Sequence, residues 1–204
     1  TTGTGNVSGG GTLTFAGGNG VTATASSSTI TISTPQDLRT TATPTFAGGT
    51  FSAAIVPSAN ASINIGSTSA WWGTIYGIAS QAKYADLAER YVSDADYEAG
   101  TVVVFGGSKE ITVTTDFADA RVAGVISTNP AYLMNSETDG LPVALRGRVP
   151  VRVIGPVVKG DSLVTGTTSG FAVSVGNDRL YGQAVFAKAL ETNLSAGEKI
   201  IEAV

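Results

Sequence analysis

The residues with the clearest chemical potential in this sequence are carboxylates at close spacing. Asp94, Asp96 and Glu98 alternate along the chain, so their side chains would share one face of an extended strand. Oxygen ligands at such spacing are typical of calcium loops, but Ala99 stands where the EF-hand pattern places its turn glycine. A metal site and a solvated acidic loop are both open at this point. We predict the solvated loop, with no bound metal.

A wider set of acids could supply the two carboxylates with which glycosidases cleave sugar bonds, roughly 5 to 9 Å apart. The candidates are Asp94, Asp96, Glu98, Asp116, Asp119 and Glu137. Nothing in the sequence pairs them, and the chain contains neither His nor Cys. It therefore lacks the usual base near neutral pH, a Ser–His nucleophile and a thiolate metal ligand. We predict no catalytic residue, no cofactor and no enzymatic activity.

Charge is distributed unevenly along the 204 residues. Before Lys83 the only charged residues are Asp37 and Arg39, whereas acids and bases occur at ordinary density beyond it. We therefore predict two domains, a Gly/Ser/Thr-rich region at 1–82 and a compact domain at 83–204. The net charge of −4, without a basic stripe, disfavours a nucleic-acid partner. Membrane insertion is not expected either, because no apolar run approaches the ~18 residues that a spanning helix needs.

The first region carries short alternations of threonine with apolar residues, separated by glycine and serine clusters, which predict strands joined by tight turns. Side chains this small cannot offset the ~1–2 kcal/mol per residue that backbone ordering costs. TLTFAGGNGV around Phe15 is similar to TPTFAGGTFS around Phe46, as in units that gain stability by stacking. A flexible linker is one interpretation. We favour a fibrous shaft in which identical chains wrap around a common axis.

Trp71 and Trp72 are adjacent within the uncharged stretch INIGSTSAWWGTIYG. Neighbouring side chains of a strand point to opposite faces, so both rings cannot enter one small core. The pair forms either a hydrophobic plug within one chain or a contact in which one ring packs inward and a neighbouring chain covers the other. We predict the contact between chains, with Phe15, Phe46, Trp71, Trp72 and Tyr76 as its packing residues.

Beyond Lys83 the sequence pattern is that of a β protein. TVVVF and ITVT, separated by Gly106-Gly107-Ser108, predict a hairpin. Further strands are predicted at VAGVIS, LPVALRGRVPVRVIG, DSLVTG, GFAVSV, LYGQAVFA and KIIEAV. The fold class predicted for the whole chain is all-β, with an intertwined fibrous shaft followed by a compact barrel or sandwich and at most one or two short helices.

Two local patterns concern how this domain is built. Tyr84, Leu87, Ala88 and Tyr91 are spaced as one apolar face of a short helix, although the same residues could form an irregular strand leaving the shaft. The run GPVVKGDSL at 155–163 resembles the Gly-Asp turn of biotinyl and lipoyl carrier barrels, but the modified lysine of those domains has no counterpart here. We interpret it as a turn between two apolar strands.

Several stretches together resemble the fibres of tailed bacteriophages. INIGSTSAWWGTIYG is similar to an NIGS-S-x-x-W-x-x-IY repeat near the distal ends of such fibres, and PQDLRTTATPTFAGGTF to another recurrent fibre segment. The C-terminal module of tail-fibre and structural proteins in large tailed phages, notably those of marine and cyanobacterial hosts, resembles AKYADLAERYVSDADYEAGTVVVFGG, VAGVISTNPAYLMN and VALRGRVPVRVIGPVVKGDSLV.

This resemblance implies a homotrimeric fibre on the virion, made in the host cytoplasm. Its expected partners are other tail or baseplate proteins and a host cell-surface receptor, with polysaccharide as one candidate ligand. Loops on a rigid β scaffold commonly carry recognition, so residues 129–140 are the candidate receptor surface. Tyr132, Asn135 and Glu137 lie there, and they could equally form a contact between chains.

The resemblance also supplies an alternative function. YADLAE is similar to the start of self-cleaving intramolecular chaperone modules, which direct the trimerisation of some phage appendages and are then released. Cleavage of that kind needs an activated nucleophile, and no His is present to activate one. Ser80, Asp86 and Glu89 are the candidate residues near the junction.

Overall fold

The structure is a computed structural model that describes residue 14 and residues 21–26, 29–34, 48–60, 63–77 and 81–204. Within these ranges the one helical element is a short 3-10 turn at Arg179–Tyr181, and strands make up the remaining regular structure. The predicted all-β class is therefore confirmed. The described residues contain no helix long and apolar enough to cross a bilayer.

The chain divides into a first unit, Thr1–Thr74, and a second unit, Ile75–Val204. In the first unit, β1 (Thr22–Ser26) and β2 (Thr29–Ser33) form an antiparallel hairpin in which Thr22 lies opposite Ser33. Threonine and isoleucine alternate along β2 as predicted, yet every residue of β2 is exposed. An isolated two-stranded hairpin of this kind is only marginally stable in water.

The second unit contains two sheets. The first is built from β3 (Asp86–Tyr91), β4 (Val102–Phe105), β5 (Ile111–Thr112), β6 (Val122–Ile126), β7 (Tyr132–Met134) and β8 (Leu141–Gly147). The second is built from β9 (Val149–Ile154), β10 (Ser162–Thr165), β11 (Ala172–Ser174), β12 (Ala187–Lys188) and β13 (Glu198–Ala203). Their strand orders are β5-β4-β6-β8-β3-β7 and β12-β10-β11-β9-β13. Pairing is antiparallel except between β3 and β7 and between β9 and β11.

One buried cluster draws its side chains from both sheets of the second unit. Val102 and Val125 come from the six-stranded sheet, and Val151 and Ile201 come from the five-stranded sheet. Along β9 the valines are buried and the residues between them are only partly buried, because successive side chains point to opposite faces. The two sheets therefore share a core, as in a sandwich.

The barrel, the other architecture that the sequence allowed, is not formed. The edge strands of the five-stranded sheet meet through an isolated bridge between Ala189 and Ala203 and three backbone hydrogen bonds. These run from Lys188 N to Val204 O at 2.7 Å, from Val204 N to Lys188 O at 3.0 Å and from Leu190 N to Glu202 O at 2.8 Å. These contacts cover part of the free edges, but they do not make the continuous ladder that would close the sheet.

The helix that the spacing of Tyr84, Leu87, Ala88 and Tyr91 predicted is wrong, and the alternative of an irregular strand is correct. β3 pairs with β8 on one side and with β7 on the other, and its register shifts between Leu87 and Ala88. Backbone hydrogen bonds on both sides outweigh the helical pattern of so short a segment.

The predicted strand LYGQAVFA is also largely wrong. Its first residues belong to the 3-10 turn, whose N-cap Asp178 accepts a hydrogen bond from Leu180 N at 3.0 Å. Only its last residue, Ala187, lies in β12. The predicted hairpin of TVVVF and ITVT is confirmed, because Val104 of β4 lies opposite Thr112 of β5.

The GPVVKGDSL run forms the turn between β9 and β10, as predicted. Asp161 organises this turn, because its Oδ2 accepts hydrogen bonds from Val158 N at 2.9 Å and from Ser174 Oγ at 2.6 Å. Gly160 has a φ of +93°, a conformation that residues with a Cβ rarely adopt. The Asp161 carboxylate therefore joins the turn to β11, and the GPVVKGDSL run is a structural turn between two strands.

Candidate interaction surfaces

The most prominent surface feature is a run of large apolar side chains that are exposed in the described part of the chain. Every described residue between 48 and 77 is exposed, and no described residue before Asp86 is buried. The large apolar members of this exposed segment are Phe51, Ile55, Val56, Ile63, Ile65, Trp71, Trp72, Ile75 and Tyr76. A run of this kind is typical of a protein interface, since soluble monomers rarely expose so many large apolar residues together.

The tryptophan pair lies at a tight turn within the exposed segment. Ser67 and Ala70 form an isolated bridge, and the indole Nε1 of Trp71 donates a hydrogen bond to the carbonyl oxygen of Thr68 at 3.2 Å. The ring of Trp72 lies against Gly66, where an added Cβ would come within 3.2 Å of Cδ1. The two rings are therefore held by local contacts on different parts of the turn.

Neither indole is buried within the chain, since Trp71 is 66% exposed and Trp72 is 64% exposed. The interpretation of the pair as a hydrophobic plug inside one chain is therefore wrong. Tyr76 is 94% exposed. Phe15 and Phe46, the other predicted packing residues, lie outside the described residues.

The three predicted contact residues within 129–140 differ in their exposure and in their hydrogen bonds. Tyr132 lies in β7 with 64% of its surface exposed. Asn135 has a φ of +52°, and its side chain is used internally, donating to Arg90 O at 3.1 Å and accepting from Thr138 Oγ1 at 2.8 Å. Glu137 is exposed. Of the three, Tyr132 offers the large apolar area that a protein contact uses, while Asn135 stabilises its own turn.

The alternating acids do not converge on one centre. They lie in an irregular segment and not in a strand, so their side chains do not share one face. Asp94 accepts a hydrogen bond from the Tyr97 hydroxyl, which lowers the pKa of the Asp94 carboxyl. Glu98 instead forms an ion pair with Arg152 at 3.3 Å. Among the described residues, no group of three or more acids, histidines or cysteines could hold a metal ion.

Asp116 and Asp119 are brought together by one arginine. Arg121 Nη2 lies 2.6 Å from Asp119 Oδ2 and 3.4 Å from Asp116 Oδ2. The hydrogen bond from Arg121 lowers the pKa of Asp119 to about 2, against the opposing effect of burial. A glycosidase acid needs a raised pKa, so this arrangement favours a structural role for Asp119.

The junction residues considered for self-cleavage are mostly engaged in the fold. Asp86 is buried at the start of β3 and accepts a hydrogen bond from Ser127 Oγ at 2.6 Å. Glu89 accepts one from the Tyr91 hydroxyl at 2.9 Å. Ser80 lies outside the described residues. The two carboxylates thus stabilise β3 and its neighbours.

A small pocket of about 190 Å³ opens between the two sheets of the second unit. Its walls come from Gly124, Ala144, Phe186 and neighbouring residues, and Arg146 is the one charged side chain among them. The side chains that line this pocket do not include an acid–base pair.

Leu87 is the surface residue that the sequence reasoning missed. The helical pattern put it on a buried face, whereas in β3 it alternates with buried Asp86 and Ala88 and is partly exposed next to Tyr132. Alternation along a strand would not have revealed this either, because it would bury Leu87 and expose the polar Asp86, the reverse of what the structure shows.

A scan of the chain against the models of known protein families finds no match, and a search of curated proteins finds no relative.

Proposed function

We propose that this chain is a subunit of a homotrimeric tail fibre of a tailed bacteriophage, a virion structural protein that contributes to host attachment. The observation that carries the proposal is the exposed segment, in which Trp71, Trp72 and Tyr76 are all more than half exposed. Burying such side chains contributes roughly 1.5–3 kcal/mol each, a stabilisation that the single chain does not obtain. Identical neighbours can supply the missing cover.

The difference in side-chain burial between the two units agrees with this proposal. Both buried clusters lie beyond residue 90, in the second unit, which therefore has an interior of its own. Among the side chains of the first unit that the structure describes, none is buried, and every residue of β2 is exposed. A fibre needs such a combination, because a folded domain can bring three chains together while the extended segments complete one another. The trimer itself and the bacteriophage assignment rest on the resemblance of the sequence to phage fibres.

We expect attachment to the host to depend on the three copies of the chain in one fibre. Three identical tips can bind a repetitive host surface with an avidity well above the affinity of one tip, even when each contact is weak. The partners of the fibre are then the tail or baseplate proteins at one end and the receptor at the other.

Sedimentation velocity with multi-angle light scattering tests the proposal on the full chain. We expect a trimer at micromolar concentration, and electron microscopy of virions labelled with an antibody to the chain should show label on the tail fibres. A compact monomer at that concentration would refute the trimeric fibre. An intact-mass measurement accompanies both experiments, since two fragments split near residue 80 would instead indicate the self-cleaving chaperone.

A further inference from the structure

The sequence contains one Asp-Gly step, Asp139-Gly140, which lies just before the start of β8. A step of this kind can rearrange without an enzyme, because the main-chain nitrogen of the glycine can attack the side-chain carboxyl carbon of the aspartate through a five-membered ring. Glycine favours the attack, since it has no Cβ to obstruct the approach and its backbone adopts dihedrals that other residues avoid. Whether the step reacts in a folded chain depends on how firmly its two reacting groups are held.

Both reacting groups of this step are available in the folded second unit. The Asp139 side chain is exposed and has no hydrogen bond or ion pair with any described residue. The Gly140 N–H makes no hydrogen bond to the described part of the chain either. The carboxyl and the amide can therefore approach each other without first breaking a contact of the fold.

The Asp161-Ser162 step offers a contrast within the same chain, because a small residue follows an aspartate there too. The Asp161 carboxylate accepts hydrogen bonds from Val158 N at 2.9 Å and from Ser174 Oγ at 2.6 Å. Ser162 lies in β10, and its N–H donates to Gly176 O at 2.7 Å. Ring closure at this step would have to break these hydrogen bonds, so the fold protects it.

An open pocket of about 360 Å³ borders the Asp-Gly step. Ser93, Asp96 and Lys109 contribute to its walls, together with Asp139 and Gly140 themselves. The pocket leaves room for the Asp139 side chain to turn towards the main chain and gives water access to the carbonyl groups. Both are needed, because the rearrangement first expels a water molecule and then consumes one.

We propose that Asp139 is a site of spontaneous conversion to isoaspartate in the folded protein. The Gly140 nitrogen forms a bond to Cγ of Asp139, and the hydroxyl of the carboxyl group leaves with the amide proton as water, which gives a succinimide. Water that adds to the main-chain carbonyl breaks its bond to the Gly140 nitrogen and leaves the chain connected through Cγ, with a free α-carboxylate. Water that adds at Cγ restores aspartate. The net change in mass and charge is zero, and no other reactant is required.

The conversion lengthens the main chain by one carbon at the point where the 129–140 loop enters β8. Gly140 O accepts a hydrogen bond from Arg90 Nη1, and Leu141, the next residue, lies opposite Tyr91 of β3. An added Cβ at Gly140 would overlap the Tyr91 carbonyl, so the packing here leaves little space for a displaced backbone. Isoaspartate should therefore loosen this end of the pairing between β3 and β8. The inference does not depend on the trimer or on host attachment.

Peptide mapping of the full chain during storage in warm buffer tests the inference. Trypsin releases residues 122–146 as one peptide, in which Asp139 is the sole aspartate. Chromatography separates the isoaspartyl peptide from its isomer of equal mass, and electron-transfer fragmentation locates the altered residue. We expect isoaspartate to accumulate at 139 at least about 10-fold faster than at 161. Asp139→Glu is the matched control, because it keeps the charge but would have to close a larger ring.

The outcomes are distinct, provided that circular dichroism shows a folded chain throughout storage. Isoaspartate at 139 that is missing from the Asp139→Glu protein supports the inference. Equal rates at 139 and 161 would refute it, and so would isoaspartate that forms only when urea unfolds the chain. In the isomerised fraction, amide hydrogen exchange at Tyr91 and Leu141 should be faster by on the order of 10-fold. Unchanged exchange there would refute the loosening of β8.

Discussion

Replacing Asp119 by asparagine tests whether the loop between β5 and β6 is held by a single carboxylate. The Asp119 side chain accepts hydrogen bonds from Arg121 Nε at 3.0 Å, from Arg121 N at 2.9 Å and from Thr114 Oγ1 at 3.0 Å. Its own backbone N–H donates to Thr165 Oγ1 in β10 at 2.7 Å. The residue thus connects the loop to the five-stranded sheet, and Asp119→Asn removes the charge while nearly preserving the shape.

The expected loss of stability follows from the pKa of this carboxyl. It falls from 3.8 to about 2 in the folded chain, chiefly because of the Arg121 hydrogen bond. At about 1.4 kcal/mol per pKa unit, this fall corresponds to at most roughly 2.5 kcal/mol. Arg121 is more than half exposed and water screens the pair, so we expect Asp119→Asn to reduce the free energy of unfolding by about 1–2 kcal/mol near neutral pH.

Urea denaturation at several pH values measures this contribution. A carboxyl whose folded pKa is lowered stabilises the protein fully above its unfolded pKa of 3.8, and this stabilisation is lost as the pH falls through about 2. The difference between the original chain and Asp119→Asn should therefore be largest at about pH 6 and should shrink towards about pH 2. Asp116→Asn is the control: Asp116 is 72% exposed and lies 3.4 Å from Arg121, so its loss should cost less than about 0.5 kcal/mol.

Two results would contradict this reasoning. Equal stability of Asp119→Asn and the original chain near neutral pH would mean that the carboxylate contributes nothing beyond its shape. A difference that persists unchanged at about pH 2 would show that the loss arises from packing, because Asp119 is then about half protonated in the folded chain and almost fully protonated in the unfolded chain, so that little of the charge contribution is left.

Three further predictions concern the two units. Trp72→Ala should weaken self-association by at least about 10-fold in sedimentation equilibrium, because large aromatic side chains dominate interface energies; an unchanged association constant would exclude the ring from the contact. Gly147→Ala should lower the free energy of unfolding by about 3 kcal/mol or more in urea, since its φ is +107° and an added Cβ would overlap the Ala85 carbonyl; a smaller loss would mean that β3 can move aside. Tyr97→Phe should raise the pKa of Asp94 towards its ordinary value in a carboxyl NMR titration, because the hydroxyl donor is lost; an unchanged pKa would assign the lowering to the other donors.

The extent to which the fold could be predicted depended on how local its determinants are. The hairpin of β4 and β5 was predictable because its strands are β-branched and its turn is rich in glycine. The segment at β3 was not, because a spacing that suits a helix also suits a strand whose inner positions are Asp86 and Ala88. Asp86 is polar and nevertheless buried, since Ser127 satisfies it from another strand. Local patterns cannot reveal such a distant partner.

The candidate surfaces were predictable to a similar extent. The adjacent indoles predicted a contact with a neighbouring chain, which stays a prediction, and both rings are exposed. Tyr132 was named within residues 129–140, but its partner Leu87 was missed because the two meet only through the parallel pairing of β7 with β3. Asn135 was named as a contact residue, although its side chain is held by the backbone of Arg90.

Residue types along the chain were sufficient to determine the all-β class, the uneven charge and the lack of histidine and cysteine chemistry. These properties depend on composition and on short-range alternation, which no tertiary contact can change. The tertiary structure alone decided that two open sheets share one core, that Arg121 binds Asp119, and that Tyr132 lies beside Leu87. The reason is physical: sheet order and register join residues far apart in sequence, and those pairings determine which side chains are buried and which remain free to contact another chain.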